Sequence, residues 1–462
     1  MTTTATSAGA SAPTIEFIFH GTGTSSSLPN IACITADPIT CETCGSTLGP
    51  AGQKNKRRNT GGILRVLGDG QSPNRVIVID VGKTFLSAAY DLFPRYGLRR
   101  IDAVILTHPH ADAMNGLDDL RGWTLGKSIQ THIDIYVSAF TFKEVQRSFP
   151  YLVAKEFATG GGDVPEFRWH IIKENEPFRI EGVDFDITPI VVHHGRLFMT
   201  QTEENRYTPN DTPIPSGAVS PTKTPFNSGT PKSSPPDSQR NSIDISEQGD
   251  VSVDAVNVDA LQLSPTHKPI TRLTPLNQAL TAKPKPYLCF GFIFGDFMVY
   301  MSDVSHIPNG TWEIIQSNSP GFGNQKNSGP SSDETRRYKV LVVDCLRLEP
   351  HTSHFGIQVG LLFELLACPF LTYDQDALDA AKRVNAHRTY MVGFSHRIPH
   401  DDWNTIGEYL EGRDMSDKQL ERPNVVGAMR ILPQGGEPVW IRPAYDGLRL
   451  LGNKDEVWED SR

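Results

Sequence analysis

At 462 residues and only 38% hydrophobic side chains, the chain is too polar for all of it to pack into one core, so part is expected to lie outside any folded domain. A net charge of −9 offers no general attraction to polyanions and weighs against nucleic acid as a partner. No run is long and apolar enough to cross a bilayer, and six scattered cysteines suit a cytoplasmic chain, with the nucleus as the alternative, better than a disulfide framework.

Residues 1–14 are rich in Ser, Thr and Ala, with neither a basic stretch nor an apolar one, and are expected to be a disordered start without a secretory leader. Residues 15–19 read as a strand running into Gly21-Thr22-Gly23, and 75–80 as a second buried strand that ends on Asp80. Residues 90–96 read as part of a helix. The apolar run 101–106 delivers a strand end to His108-Pro109-His110-Ala111-Asp112, and 132–137 and the alternating 183–192 follow as strands.

Composition changes near Thr200. Residues 201–285 are rich in Ser, Thr and Pro and poor in large apolar side chains, so burial cannot offset the entropy of ordering them. A disordered insertion is expected there. Its Ser-Pro and Thr-Pro pairs, at Thr208, Thr212, Ser220, Thr224, Thr230, Ser234, Ser264 and Thr274, suit a proline-directed kinase. Order resumes over 286–452 with strands at 287–294 and 297–300, interrupted by a polar loop over 317–336, and 453–462 is a tail. Strands alternating with helices and Gly-rich turns indicate a layered α/β fold.

The His108-Pro109-His110 spacing can aim two imidazoles at one divalent cation, and Asp112 suits a harder metal or a water. Side chains alternate along a strand, so only one of His193 and His194 can face the same site. A carboxylate at a buried strand end, such as Asp303, is costly unless paired or metal-bound.

The run 106–113, its continuation Met114-Asn115-Gly116-Leu117-Asp118-Asp119-Leu120-Arg121, and Ala444-Tyr445-Asp446-Gly447-Leu448 near the end resemble the metallo-β-lactamase superfamily, whose signature is HxHxDH. Within it they look like the phosphodiesterase branch that includes the phosphoribosyl cyclic phosphate phosphodiesterase of phosphonate breakdown. The resemblance implies an αββα sandwich built from 15–200 and 286–452, with the insertion between them. It implies His108, His110, His194 and Asp303 as ligands of a catalytic cation, Zn²⁺ with Mn²⁺ or Fe²⁺ as alternatives; His194 is preferred to His193 because Gly195-Arg196-Leu197 follows it. Asp80 would support the site by hydrogen bonding. Ala113 and Gly393 stand where the family has two histidine ligands of a second metal, which implies a one-metal centre. Asp112, freed from ligation, would orient or deprotonate a metal-bound water acting as nucleophile.

A family CxCxxC segment completed by a histidine maps onto Cys33, Cys41, Cys44 and His396 and implies a second, structural Zn²⁺, although seven residues separate Cys33 from Cys41. Cys289, Cys345 and Cys368 read as core residues. In Leu346-Arg347-Leu348-Glu349-Pro350-His351-Thr352-Ser353-His354, His354 is the expected proton donor with His351 as the alternative. Arg121 and Arg347 would bind phosphate oxygens, or else pair with nearby carboxylates. The implied activity is metal-dependent hydrolysis of a small or cyclic phosphodiester. The alternative is a catalytically impaired relative that binds or regulates through its phosphorylatable insertion.

Overall fold

The structure is a computed structural model that describes residues 14–158, 163–197, 285–319, 337–358, 375–433, 435 and 437–460. All of these belong to one compact unit, Met1–Asp211 with Pro284–Arg462; a second unit, Thr212–Lys283, lies outside the described residues. The expectations for residues 1–13, for most of the Ser/Thr/Pro-rich insertion, for much of the 317–336 loop and for Cys368 therefore fall outside them as well.

Among the described residues fourteen strands form two sheets. The first holds β1 (Ile15–Gly21), β2 (Gly61–Val66), β3 (Arg75–Ile79), β4 (Ala103–Ile105), β5 (Ile133–Ser138), β6 (Phe167–Ile172), β13 (Arg449–Gly452) and β14 (Val457–Glu459) in the order β14-β13-β1-β2-β3-β4-β5-β6. The second holds β7 (Ile187–Leu197), β8 (Lys285–Phe294), β9 (Met298–Met301), β10 (Val340–Asp344), β11 (Arg388–Val392) and β12 (Ile441–Pro443) in the order β12-β11-β10-β9-β8-β7. Antiparallel pairing gives way to parallel pairing across β3-β4-β5-β6 and across β9-β10-β11-β12. Among the parallel strands, β4, β9 and β10 are short, almost wholly apolar runs buried throughout, as befits strands covered on both faces.

Three buried clusters define the layers. Phe17, Phe19, Ile77 and Ile105 of the first sheet meet Phe292, Phe294, Tyr300, Val342 and Tyr390 of the second. On the outer face of the first sheet, the helix Phe85–Arg95 presents Phe85, Ala88, Ala89, Leu92 and Phe93, spaced at three and four residues so that they form one stripe. On the outer face of the second, the helices Ala377–Val384 and His400–Leu410 bury Leu378, Ala381, Trp403 and Ile406. This is the expected αββα sandwich, a metallo-β-lactamase fold. No helix among the described residues is long and apolar enough to cross a membrane.

Residues 90–95 are, as expected, part of a helix, Phe85–Arg95, which Tyr96 caps. One strand boundary moves. The strand expected from 183 begins at Ile187: Val183 N–H donates to Ile180 O through a turn at Gly182 (φ +78°), and Phe178 pairs with Ile187. The alternation of 183–186 belongs to a chain reversal that buries Val183, and a period of two alone does not distinguish that from a strand.

Candidate metal centre

The parallel strands β3, β4, β9, β10 and β11 finish on the same edge, where Asp80, Thr107-His108, Asp303, Asp344 and Gly393 follow their last residues or, for Asp344, close the strand. Such carboxyl ends are where α/β sheets gather functional groups. Asp80, fully buried with φ +61°, accepts Thr107 N–H at 2.8 Å and Thr107 Oγ1–H at 2.7 Å. Thr107 Oγ1 has spent its proton on Asp80, so it accepts from His108 Nδ1 at 2.8 Å. That chain leaves His108 Nε2 as a bare lone pair, and Nε2 is buried without a hydrogen-bond partner. Burial, assisted by the neighbouring imidazoles, holds the His108 pKa well below 6.5. A neutral imidazole with its outer nitrogen fixed and its inner one unsatisfied is built as a ligand.

His194 is fixed in the same way, with Nδ1 donating to Ser353 O at 2.8 Å. Its neighbour His193 points the other way and meets the His306 ring at 5.1 Å, where burial and His306 lower its pKa to about 4. Ring centroids lie 4.6 Å apart for His108 and His110 and 5.1 Å apart for His194 with either. One nitrogen from each of the three can be chosen so that all lie within 4.8 Å of one another. Tyr287 stacks on His110 at 4.6 Å. Asp303 is buried beside them; burial pushes its carboxyl up, but His108, His194 and His354 outweigh that and hold it at about 2.

His354 joins the same cluster, since His194, Asp303 and His354 also offer three ligand atoms within 4.8 Å. Its Nδ1 donates to Asp344 Oδ2 at 2.8 Å, and Asp344 is fully buried. Burial lowers the His354 pKa, but Asp344, then Asp303, raise it to about 9. His351 stands outside the cluster, with Nδ1 accepting from Ser353 N–H and Oγ. Asp112 accepts a short hydrogen bond from Ser25 Oγ on Oδ2, while its Oδ1 is buried and unsatisfied. Ser25 O in turn accepts from Lys83 Nζ at 2.6 Å.

The two arginines expected at phosphate are engaged within their own turns. Arg121 closes on Asp118, three residues away, and Arg347 donates to Pro350 O at 2.9 Å and to Glu349 O. A carboxylate or carbonyl within the same turn costs little chain entropy to reach, which a motif alone does not reveal. Ala113 is buried, and Gly393 has φ +78° and no space for a Cβ, which would lie 2.4 Å from Asp344 Oδ1. Sequence reasoning missed Asp344, Thr107, Ser25 and Lys83. For Asp344 a signal existed: it ends an apolar strand just as Asp80 and Asp303 do.

A second group lies on the segment before β2. Cys33, Cys41, Cys44 and His396 bring one donor atom each within 4.8 Å of one another. Cys33 Sγ and Cys41 Sγ lie 3.3 Å and 3.5 Å from His396 Nδ1, and Asn30 N–H donates to Cys44 Sγ. The long Cys33–Cys41 spacing is taken up by a loop between two short helices, Ile31–Ile34 and Glu42–Ser46. Burial, together with Cys41 beside it, pushes the Cys44 thiol up to about 12 even against the Asn30 N–H; a bound cation would relieve that crowding. Cys289 and Cys345 are buried core residues.

Residues 75–212 match the family model described as a β-lactamase superfamily domain. The matched stretch carries His108, His110 and His194, whereas Asp303, Asp344, His354 and the cysteines lie beyond it. Among curated proteins, an octanoyltransferase of Porphyromonas gingivalis (strain ATCC BAA-308 / W83) is 27% identical over 180 residues, which cover 39% of this chain and 31% of that protein. Among solved structures, a diphosphatase from the PhnP family is 18% identical, with 94% of this chain and 97% of that one covered and a TM-score of 0.49. Zinc-bound PqqB from Methylobacterium extorquens is 12% identical, with 94% and 99% covered and the same TM-score of 0.49.

Proposed function

We propose, for a chain that has the metallo-β-lactamase fold and carries a β-lactamase superfamily domain, that it is a metal-dependent hydrolase of small or cyclic phosphodiesters with a single catalytic cation. The observation that carries this reading is the unsatisfied, buried Nε2 of His108, which lies in one group of ligand atoms with His110 and His194, while His194 also shares a second group with Asp303 and His354. Three neutral imidazoles and a carboxylate suit Zn²⁺, with Mn²⁺ or Fe²⁺ as alternatives. A divalent cation held there would supply Lewis acidity to a phosphoryl oxygen and lower the pKa of a coordinated water.

The chain's own groups divide the remaining work. Asp112, held by Ser25 and with Oδ1 free, orients the attacking water and takes its proton. His354, its Nδ1 proton committed to Asp344, offers its other ring nitrogen to the leaving oxygen. Lys83, two hydrogen bonds from Asp112 by way of Ser25, replaces Arg121 and Arg347 as the cation for a phosphate oxygen. The Cys33-Cys41-Cys44-His396 group would hold a structural Zn²⁺ that ties the first loop to β11.

Ala113 and Gly393 favour a second reading, a chain kept for binding or regulation. One experiment separates the two. Elemental analysis should find two zinc equivalents per chain, and bis-p-nitrophenyl phosphate cleavage should be lost in His194→Ala while the cysteine-bound equivalent stays. Protein that holds metal only at the cysteines and shows no turnover with added Zn²⁺ or Mn²⁺ would leave the second reading standing.

A further inference from the structure

A cavity of about 440 Å³ opens where the edges of the two sheets come together, and none of the proposed metal ligands lines it. Its walls come from β12 (Trp440 beside it and Arg442 within it), β14 (Trp458, Glu459), the start of β11 (Arg388), the helix His400–Leu410 and the turn that carries Lys54. The volume lies within the range of small-molecule sites.

The cations here are arranged before any ligand arrives. Arg388 and Arg442 lie over the Trp440 ring at 4.8 Å and 5.1 Å, and Lys54 Nζ lies 4.5 Å over Tyr445. Arg442 and Arg413 share the one carboxylate of Glu411, which leaves their corner positive. Among the described residues neither Lys54 nor Arg388 pairs with a carboxylate; Arg388 Nε donates to Val457 O at 3.2 Å, and its side chain also hydrogen-bonds the Tyr390 hydroxyl. Aromatic rings that hold ammonium and guanidinium groups in place reduce the ordering cost of binding an anion. Trp458 differs from the other rings of the cavity: among the described residues no ring or cation stacks on it. Glu459, hydrogen-bonded to Tyr390 OH through Oε1, keeps its second oxygen for a hydroxyl donor.

We propose that this cavity binds a nucleoside monophosphate: a planar base on Trp458, sugar hydroxyls on Glu459, and the phosphate on Lys54 and Arg388. Positive charge alone would suit any anion. It is an indole with no described partner on its face, beside an acceptor and two cations that lack a carboxylate partner among the described residues, that selects a phosphorylated, hydroxylated, aromatic ligand. The site is separate from the histidine cluster, so it does not depend on the proposed hydrolase activity.

Calorimetric titration of the full-length protein with AMP, GMP, adenosine and inorganic phosphate tests this. A monophosphate should bind about tenfold or more tighter than either adenosine or phosphate. Lys54→Met and Trp458→Leu should each weaken it by about tenfold, while His194→Ala leaves it unchanged. In the unaltered chain, AMP should quench tryptophan emission saturably where adenosine and phosphate at equal concentration do not, which keeps the test independent of how the variants fold. The proposal is overturned by no saturable binding of either monophosphate, by phosphate binding as tightly as AMP, or by binding that disappears in His194→Ala and survives both cavity variants.

Discussion

Replacing Asp344 with Asn removes one charge and almost nothing else. The carboxylate closes β10 with no exposure, and Oδ2 accepts from Val304 N–H at 2.9 Å and from His354 Nδ1 at 2.8 Å. An amide oxygen can keep both contacts. What it cannot keep is the attraction that raises His354 from an ordinary 6.5 to about 9 in the face of burial. At about 1.4 kcal/mol per pH unit, that rise corresponds to roughly 3 kcal/mol, with little solvent screening because the His354 side chain is only 17% exposed. The sign follows from linkage. A folded-state pKa above the unfolded one gives stability that is fully present below pH 6.5 and is lost as the pH climbs through about 9. In chelator-treated protein the unfolding free energy from urea melts should therefore decline between pH 6.5 and 9, and Asp344→Asn should remove most of that slope. The ring resonances of His354, followed by NMR, should titrate at least ~1 unit lower in the variant. Equal slopes, or an unmoved His354 titration, would show that Asp344 does not govern this imidazole.

Three further outcomes are expected. Desolvation depresses His20 and His400 to about 4 and about 3, so the unfolded chain takes up protons first and stability should drop as the pH falls from 6.5 toward 4; a urea midpoint unchanged between pH 7 and pH 4.5 would contradict this. Cys44→Ser should release one zinc equivalent and lower the melting temperature, whereas Cys289→Ser, a change in the core outside the cysteine group, should keep the cysteine-bound equivalent. Gly393→Ala should cost at least ~2 kcal/mol in urea melts, because φ +78° strains any L side chain and its Cβ would meet Asp344 Oδ1. Gly393→His for the same reason should bind no additional metal.

The chain announced its layers through apolar runs and helical stripes, which follow from which faces each element buries. Residues 15–19, 75–80 and 287–294 are readable because both faces of those strands are covered. The run 183–186 misled because a buried turn can alternate as a strand does. At the metal centre, the choice of His194 over His193 rested on strand alternation, and the two rings do diverge, one toward His108 and the other toward His306. What pattern could not supply was the choice between partners. For Arg121 it left a phosphate and a nearby carboxylate equally open; Arg121 and Asp118 sit one turn apart and pair, an outcome that local geometry favours over a distant phosphate.

Asp344 shows why the rest was hidden. By strand pattern it is the equal of Asp80 and Asp303, yet its role depends on a loop that returns His354 to it and on a glycine that leaves its Oδ1 uncrowded. Gly393 is thus more than the position where a ligand is missing. Any side chain there would have to displace the carboxylate that holds His354, so the glycine and the Asp344–His354 pair form one arrangement. A centre that had merely decayed would have no reason to fill the space of a lost imidazole with a buried, oriented ion pair. That coupling favours a rearranged centre over an abandoned one.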